Sequence, residues 1–321
     1  MLVLILDAKT ALAGAKEGIQ LCLYTVIPSL FPFFILSILI NRSLAGKAFR
    51  LLRPIGKLCG IPEGAETLFL LGLLGGYPVG AQGISEAYLA KSLNEKDARR
   101  MLGFCNNAGP AFIFGMVGSL FDRPLIPWLL WGIHIVSSIL VGCILPGRSK
   151  RSCQLTQSST ITVPQALEKS LKTMALVCGW VIVFRVMLAF LQRWFLWLIP
   201  MDVQIWIAGS LELSNGCFAL HAITSQGTRF VVSAGILAFG GICVAMQTIS
   251  VTGALDTGMY FPGKLLQCCI SIVLAFISQQ FVFSAPQRWN ISGFVIIAMA
   301  LIASGLLFYT SRKKKVVAIP C

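Results

Sequence analysis

The chain has 321 residues, of which 56% are hydrophobic and only 12% are charged. Because soluble domains usually carry about 25% charged residues, this composition excludes an ordinary soluble protein and predicts a polytopic α-helical membrane protein. The 26 basic residues outnumber the 12 acidic ones, and they fall in short loops and near the C-terminus. That placement is typical of cytoplasmic loops and argues against nucleic acid as a partner.

Apolar runs of the roughly 20 residues that a bilayer requires recur along the chain. They predict about seven spans, at residues 12–40, 101–120, 126–145, 166–191, 230–255, 265–284 and 291–309. Lys264 is expected in a short loop before the sixth span. With the basic loops and Arg312–Lys315 inside, the C-terminus is expected to be cytoplasmic. The expected domains are a first half (1–145), a cytoplasmic linker (146–164) and a second half (165–321).

Two further apolar segments are interrupted, and each of their parts is too short to cross a bilayer. In 66–91 the interruption is Gly75-Gly-Tyr-Pro-Val-Gly80, where proline and glycine indicate a turn. In 203–226 it is Ile207-Ala-Gly-Ser-Leu-Glu-Leu-Ser-Asn-Gly216. We interpret both as re-entrant helical hairpins. For 66–91 a single kinked span is the alternative.

The span 101–120 contains polar residues where a membrane helix should be apolar. Pro110 interrupts the helical hydrogen-bond ladder, and Asn106 and Asn107 lie beside it. Carboxamides and freed backbone groups are tolerated at bilayer depth only against protein or a water-filled cavity. This pattern predicts a broken helix that lines a polar site, with connecting span 126–145 after it.

The second half contains a weak copy of this broken helix. Leu102–Leu120 aligns with Leu237–Leu255 within the predicted broken helix 230–255, an offset of roughly 135 residues, in the range that separates transporter repeats. In the predicted topology the two copies start on opposite sides of the membrane. The predicted fold is therefore all-α, with about seven transmembrane helices and two re-entrant hairpins in an inverted repeat.

The polar residues inside these segments have two interpretations each. Asn106 and Asn107 offer donors and acceptors to a polar solute or to Na⁺, or they join helices by hydrogen bonds. Glu212 is an intramembrane carboxylate, a functional candidate by default. It either carries a proton or binds a cation, or it forms a structural ion pair with Arg185.

Other chemistries lack the residues that they need. Most of the 11 cysteines sit in apolar runs as small hydrophobes, and the two histidines, His134 and His221, are isolated. No nucleophile–base constellation, metal-ligand cluster or phosphate loop is evident. We expect no enzyme activity, no metal and no cofactor, other than Na⁺ or H⁺ as a coupling ion.

The motifs Gly75-Gly-Tyr-Pro-Val-Gly-Ala81 and Cys105-Asn-Asn-Ala-Gly-Pro110, in this order, resemble the sporulation integral membrane protein family of endospore-forming bacteria (YlbJ type). That family carries a nucleoside-recognition gate domain similar to the core of concentrative nucleoside transporters. The resemblance implies a cell-membrane permease for a nucleoside-like or other small polar solute, required for sporulation. The alternative is a non-transporting scaffold or receptor in spore envelope (cortex) assembly.

The resemblance also implies site residues, although Pro78-Val79 stands where the transporters carry a carboxylate at the first hairpin tip. Combined with the turn residues of that tip, the candidate substrate-binding residues are Tyr77, Pro78, Gly80, Asn106, Asn107, Glu212, Asn215, Gln247, Thr248 and Ser250. Arg185 and Glu212 are candidates for ion coupling or an ion pair. The expected partners are the lipid bilayer, the solute and, as an open possibility, a second copy of the chain.

Overall fold

The computed structural model describes residues 5–44, 50–147 and 162–283, and all regular secondary structure in these ranges is helical. The predicted last span, the basic C-terminal run and nearly all of the predicted linker lie outside the described residues. The helices are α1 (Ala8–Leu21), α2 (Ile27–Leu44), α3 (Arg53–Cys59), α4 (Glu66–Gly75), α5 (Val79–Leu89), α6 (Glu95–Cys105), α7 (Pro110–Phe112), α8 (Leu125–Ile144), α9 (Val163–Trp194), α10 (Met201–Leu211), α11 (Leu213–Ala219), α12 (Gln226–Phe239), α13 (Gly241–Thr252) and α14 (Tyr260–Val282).

Five helical stretches of the described residues are long and apolar enough to cross a membrane: Ala8–Ile40, Leu125–Ile144, Val163–Trp194, Gln226–Thr252 and Tyr260–Val282. The first of them joins α1 to α2 through a π-helical turn at Cys22–Val26. The predicted span 101–120 is not among the five, because an extended segment divides it. The chain is therefore a multi-pass helical membrane protein with five span-length helices in its described part.

Helix α1 packs along α9 through a seam of small residues. A Cβ added to Gly14 would lie 2.9 Å from Ala189 Cβ, and one added to Gly18 would lie 3.0 Å from Ile182 Cα. Glycines four residues apart let two membrane helices approach backbone to backbone. This packing connects the N-terminal helix to the second half of the chain.

Helices α4 and α5 form a helical hairpin whose turn is Gly76-Tyr-Pro78. The two helices cross at glycines, since a Cβ added to Gly80 would lie 2.8 Å from Gly72 Cα. The same glycines also contact the broken helix: a Cβ on Gly72 would lie 1.6 Å from the Cys105 carbonyl oxygen. The hairpin thus packs directly against the C-terminal end of α6.

The first broken helix consists of α6, an extended segment at Asn106–Gly109, and a short helical stretch that starts at Pro110. Asn106 and Gly109 both have extended backbone angles. Pro110 begins the second part, where its missing amide hydrogen costs no helical hydrogen bond. The extended segment lies against the hairpin turn, because Gly76 and Gly109 are in backbone contact.

A second pair of short packed helices and a second broken helix follow later in the chain. Helices α10 and α11 meet at the extended residue Glu212 and pack through a second glycine pair, with a Cβ on Gly216 only 2.1 Å from Gly209 Cα. The following helix is broken at Gly240 and Gly241, whose φ angles are +78° and +81°. Glycine adopts these left-handed angles without steric cost. The carbonyl of Leu211, at the hairpin tip, lies against Gly241.

The prediction that Lys264 lies in a loop is wrong. Lys264 belongs to α14, which begins four residues earlier at Tyr260, and its side chain is fully buried. Helix α14 crosses α6 where Gly263 meets Gly103, with a Cβ on Gly263 2.2 Å from the Gly103 carbonyl oxygen. This close crossing brings Lys264 to the first helix break.

Candidate functional site

A small cavity lies between the two hairpin tips. The first half contributes the hairpin turn and the helix break, and the second half contributes the tip at Glu212 and one face of α13. Apolar side chains of the π-helical turn, of α2 and of α9 close the remaining sides. The lining residues are Val26, Leu30, Tyr77, Ala108, Gly109, Phe112, Val177, Val181, Glu212, Leu213, Ser214, Val244 and Gln247.

Glu212 is the carboxylate of this cavity, and it is 2% exposed. Its oxygens accept hydrogen bonds from the amides of Ser214 (3.0 Å) and Asn215 (2.6 Å) and from the Asn215 side-chain amide (2.7 Å). The carboxylate therefore caps the first turn of α11 and compensates the buried charge with three donors. A carboxylate oxygen can accept more than one hydrogen bond, so this cap leaves acceptor capacity for a solute.

The Arg185–Glu212 ion pair, one of the two alternatives for these residues, is not formed. Arg185 instead pairs with Glu17 on α1 and also contacts Gln192. The reason is the Gly14–Gly18 seam, which draws α1 onto the face of α9 that carries Arg185. The Glu212 side chain is left to cap α11 and to line the cavity.

Asn106 joins the two broken helices. Its side-chain amide donates to Thr248 Oγ1 at 2.9 Å, and its oxygen accepts from the Ala81 amide at 3.2 Å. Both Asn106 and Thr248 are completely buried. Neither lines the cavity, so both hold the walls of the cavity together in this conformation.

Asn107 lies in a second buried network behind the cavity. Its side-chain amide donates to the Phe104 carbonyl at 2.8 Å and to Ser138 Oγ at 3.2 Å. Its oxygen accepts from Gln267 Nε2 at 3.0 Å and from Lys264 Nζ at 3.4 Å. All hydrogen-bonding groups of this carboxamide are therefore used within the protein.

The network also satisfies the backbone that the break exposes. His134 Nε2 accepts from the amide of Ala108 at 3.0 Å, and Ser138 Oγ donates to the Phe104 carbonyl at 2.6 Å. Freed backbone groups inside a membrane protein need such partners. His134 thus supports the broken helix.

The remaining candidate residues occupy different positions. Of the ten predicted substrate-binding residues, Tyr77, Glu212 and Gln247 line the cavity. Gly80 is in the hairpin crossing, Pro78 precedes α5, and Asn215 binds Glu212. Ser250 is exposed and accepts a hydrogen bond from Trp180 Nε1 at 2.9 Å, so it lies away from the cavity.

Lys264 and Gln267 are the polar site residues that the sequence analysis missed. Their spacing contains a signal, since Lys264, Gln267 and Ser271 recur at three- and four-residue intervals and so share one face of a helix. All three are completely buried. Ser271 Oγ donates to Ser137 Oγ at 2.9 Å, which extends the polar contact between α14 and α8.

One curated protein similar to this chain is the sporulation integral membrane protein YlbJ of Bacillus subtilis (strain 168). The two sequences are 24% identical in an alignment of 301 positions that covers 79% of this chain and 74% of the relative. The two proteins are homologous. Integral membrane character is therefore supported both by this relative and by the five span-length helices.

No protein-family model matches the chain, and no solved structure matches it at a significant level.

Proposed function

We propose that the chain is a secondary transporter or permease that binds a small polar solute in the cavity between the two hairpin tips. The observation that carries the proposal is the composition of the cavity wall. Tyr77 and Gly109 come from the first half, while Glu212 and Gln247 come from the second. A solute held there touches both halves at once, so rocking one half against the other exposes it to alternate sides.

The polar groups of the wall define the kind of solute. Glu212 offers acceptors, Gln247 and Ser214 offer donors and acceptors, and the other lining side chains are mostly apolar. Ligand sites in proteins generally combine apolar walls with a few placed polar groups. A small solute with hydroxyl or amide donors and an apolar face fits this description, and a nucleoside-like compound belongs to that class.

The inverted repeat is part of the proposal. The alignment pairs Asn106 with Gly241, and these residues lie at the two helix breaks. Each break lies against the hairpin of its own half, and each hairpin crosses at a glycine pair. Such paired breaks near the membrane midplane are typical of transporters built from inverted repeats. We propose the same architecture here, with re-entrant hairpins and a cytoplasmic C-terminus.

The relative's name adds the cellular context. YlbJ is a sporulation integral membrane protein, and we infer that this chain acts in a membrane of a sporulating cell. The second candidate function is a non-transporting scaffold or receptor in spore envelope assembly. The carboxamides of Asn106 and Asn107 form their hydrogen bonds within the protein, and this observation favours the second candidate. Hydrogen bonds between helices also stabilise a membrane protein that binds no solute.

A binding assay on the full chain in lipid nanodiscs tests the proposal. The probes are nucleosides, peptidoglycan precursors and small organic acids. We expect saturable binding of one class, which Glu212→Gln and Gln247→Ala abolish or weaken at least about tenfold, equivalent to about 1.4 kcal/mol. Ser250→Ala is the matched control, since it removes a polar side chain of the same helix outside the cavity.

The outcome decides between the two functions. Binding that Glu212→Gln and Gln247→Ala reduce, while Ser250→Ala does not, supports the permease. If no probe binds and both cavity variants sustain normal sporulation when they replace the native chain in cells, the permease is refuted and the scaffold is favoured.

A further inference from the structure

Lys264 is a buried charge that the proposed solute site does not use. It lies in the middle of the protein, behind the cavity, and its side chain has no exposed surface. The crossing of Gly263 over Gly103 places it one residue beyond the closest approach of α14 and α6. Intramembrane lysines are costly and are usually paired or functional, so its surroundings require an explanation.

The ammonium group of Lys264 is surrounded by neutral oxygens. Lys264 Nζ donates to Gln267 Oε1 at 2.7 Å, to Asn107 Oδ1 at 3.4 Å and to Tyr77 Oη at 3.4 Å. It also lies 5.2 Å from the centre of the Tyr77 ring, within the range of a cation–π interaction. Three donors on one nitrogen thus reach three different side chains.

No carboxylate accompanies this cation. Within residues 5–44, 50–147 and 162–283, every ion pair that forms involves other residues, and none includes Lys264. The polar residues that face it from α8 and the hairpin turn are His134 and Tyr77, which are not acids. The three side chains that accept hydrogen bonds from Lys264 Nζ are therefore all neutral.

The three oxygens that accept hydrogen bonds from Lys264 come from the hairpin turn, the helix break and α14, and a coupling ion at this place would bind the same elements. Tyr77 is in the first hairpin turn, Asn107 is in the first helix break, and Gln267 is one turn further along α14. In transporters with broken helices, unwound backbone and nearby oxygens bind Na⁺ at such places. Here the Asn107 oxygen, the candidate Na⁺ ligand, already accepts two hydrogen bonds.

We propose that the Lys264 ammonium group is a tethered cation that takes the place of a coupling Na⁺ at the first helix break. It holds the hairpin turn to the break through Tyr77 and Asn107, and its charge repels a free cation from the same oxygens. Conformational stability and solute binding at this site are then independent of Na⁺. This assignment rests on the proposed transport function, and it removes Na⁺ at this site from the candidate coupling ions.

The test is the unfolding temperature of the full chain in nanodiscs, measured in NaCl, KCl and N-methyl-D-glucamine chloride at equal ionic strength. The wild type is expected to unfold at the same temperature in all three salts. Lys264→Ala is expected to unfold at a lower temperature in KCl and to recover part of the loss in NaCl. The recovery follows because the substitution vacates both the space and the oxygens of Asn107 and Gln267.

Two variants separate this role from simple packing. Lys264→Met fills most of the space without a charge, so it should be destabilised and show no response to Na⁺. Lys172→Ala removes an exposed lysine, paired with Glu168, and should behave as the wild type does. If Lys264→Ala yields no folded protein, the comparison is made with Lys264→Ser.

A Na⁺-specific rise of the wild-type unfolding temperature would overturn the proposal. A Lys264→Ala or Lys264→Ser protein with identical unfolding temperatures in all three salts would overturn it as well. Solute binding is measured separately with and without Na⁺. Binding that requires Na⁺ would overturn the proposal. A chain that binds no solute in either buffer but shows the expected salt pattern would refute the transport function without contradicting the tethered cation.

Discussion

The two hairpins of this protein share a backbone plan but differ at their tips. Each crosses at a pair of glycines, Gly72 with Gly80 and Gly209 with Gly216, and each tip contacts the break of the following helix. The first tip is Gly76-Tyr-Pro78 and has no acidic side chain. The second is Glu212, whose carboxylate caps α11 and lines the cavity.

The two helix breaks differ in the same sense. At the first break, Asn106, Asn107 and His134 hold the backbone by side-chain hydrogen bonds. At the second break, Gly240 and Gly241 adopt left-handed backbone angles, and one side chain, Tyr77 of the first hairpin, donates a hydrogen bond to the nearby Leu237 carbonyl. The first break is therefore held by a network of polar side chains, to which Lys264 and Gln267 of α14 contribute, whereas the second hairpin tip directs Glu212 into the cavity. The two breaks therefore have similar backbone geometry but different polar surroundings.

The largest expected effect comes from the feature that both hairpins share. In Gly72→Ala the new Cβ would lie 1.6 Å from the Cys105 carbonyl oxygen, and in Gly216→Ala it would lie 2.1 Å from Gly209 Cα. Because these contacts are to backbone, we expect each substitution to cost about 3 kcal/mol or more. The measurement is the yield of monodisperse protein and its unfolding temperature.

The control is Gly179→Ala on α9, where an added Cβ meets nothing within 4 Å. Alanine favours a helix over glycine by about 1 kcal/mol, so this variant should be as stable as the wild type or more so. Equal behaviour of Gly72→Ala and Gly179→Ala would show that the first hairpin does not cross at Gly72.

The second effect distinguishes the two tips. Glu212→Ala removes the acceptor of the Ser214 and Asn215 amides, so we expect a loss of about 1–2 kcal/mol, the usual cost of a lost helix cap. Tyr77→Phe removes a hydroxyl that donates to the Leu237 carbonyl at 3.3 Å and accepts from Lys264 Nζ at 3.4 Å. Both distances are longer than in a typical hydrogen bond, so the Tyr77 variant should be less destabilised in the same unfolding measurement.

If Tyr77→Phe proves the more destabilising of the two, the cap at Glu212 does not stabilise α11 as described.

The third prediction concerns the hydrogen bond that links the two broken helices. Asn106 and Thr248 form a buried hydrogen bond between α13 and the first break, and a double-mutant cycle with Asn106→Ala and Thr248→Val isolates it. Hydrogen bonds between membrane helices average about 0.6 kcal/mol, and we expect a coupling energy of this size. Additive effects of the two substitutions on the unfolding free energy would mean that the breaks are not coupled through this pair.

The smallest effect concerns a residue outside the cavity. Ser250→Ala should change the unfolding free energy by no more than about 0.5 kcal/mol, as is usual for exposed positions. Solute binding should be unchanged, in contrast to Gln247→Ala three residues earlier. A binding defect in Ser250→Ala equal to that of Gln247→Ala would place Ser250 in the site.

The helical membrane architecture and the positions of the helix interruptions could be predicted from the sequence, because proline and glycine affect the backbone at their own positions. Pro110 begins the second part of the broken helix, as its missing amide hydrogen predicts, and glycines surround the turn of α4 and α5. The burial of Asn106 and Asn107 also follows from the high cost of exposing carboxamides to lipid.

The hydrogen-bond and ion-pair partners of the polar side chains could not be predicted from the sequence, because they depend on which helices pack together. Arg185 pairs with Glu17 across α1 and α9, a contact that only the packing of the Gly14–Gly18 seam determines. The burial of Lys264 depends on the close crossing of α14 and α6 at Gly263 and Gly103, which the local sequence does not indicate. The apolar cavity wall at Val177 and Val181 cannot be distinguished by sequence from a lipid-facing surface.

The central claim is that an aqueous cavity separates the two hairpin tips. It is tested most directly by cysteine accessibility in membrane vesicles, with Ser214→Cys and Ser271→Cys introduced into a chain whose native cysteines are replaced. A charged, water-soluble methanethiosulfonate reagent should modify Ser214→Cys, which lines the cavity, and leave Ser271→Cys unmodified, because Ser271 is fully buried outside the cavity. Protection of Ser214→Cys from the reagent would contradict the account.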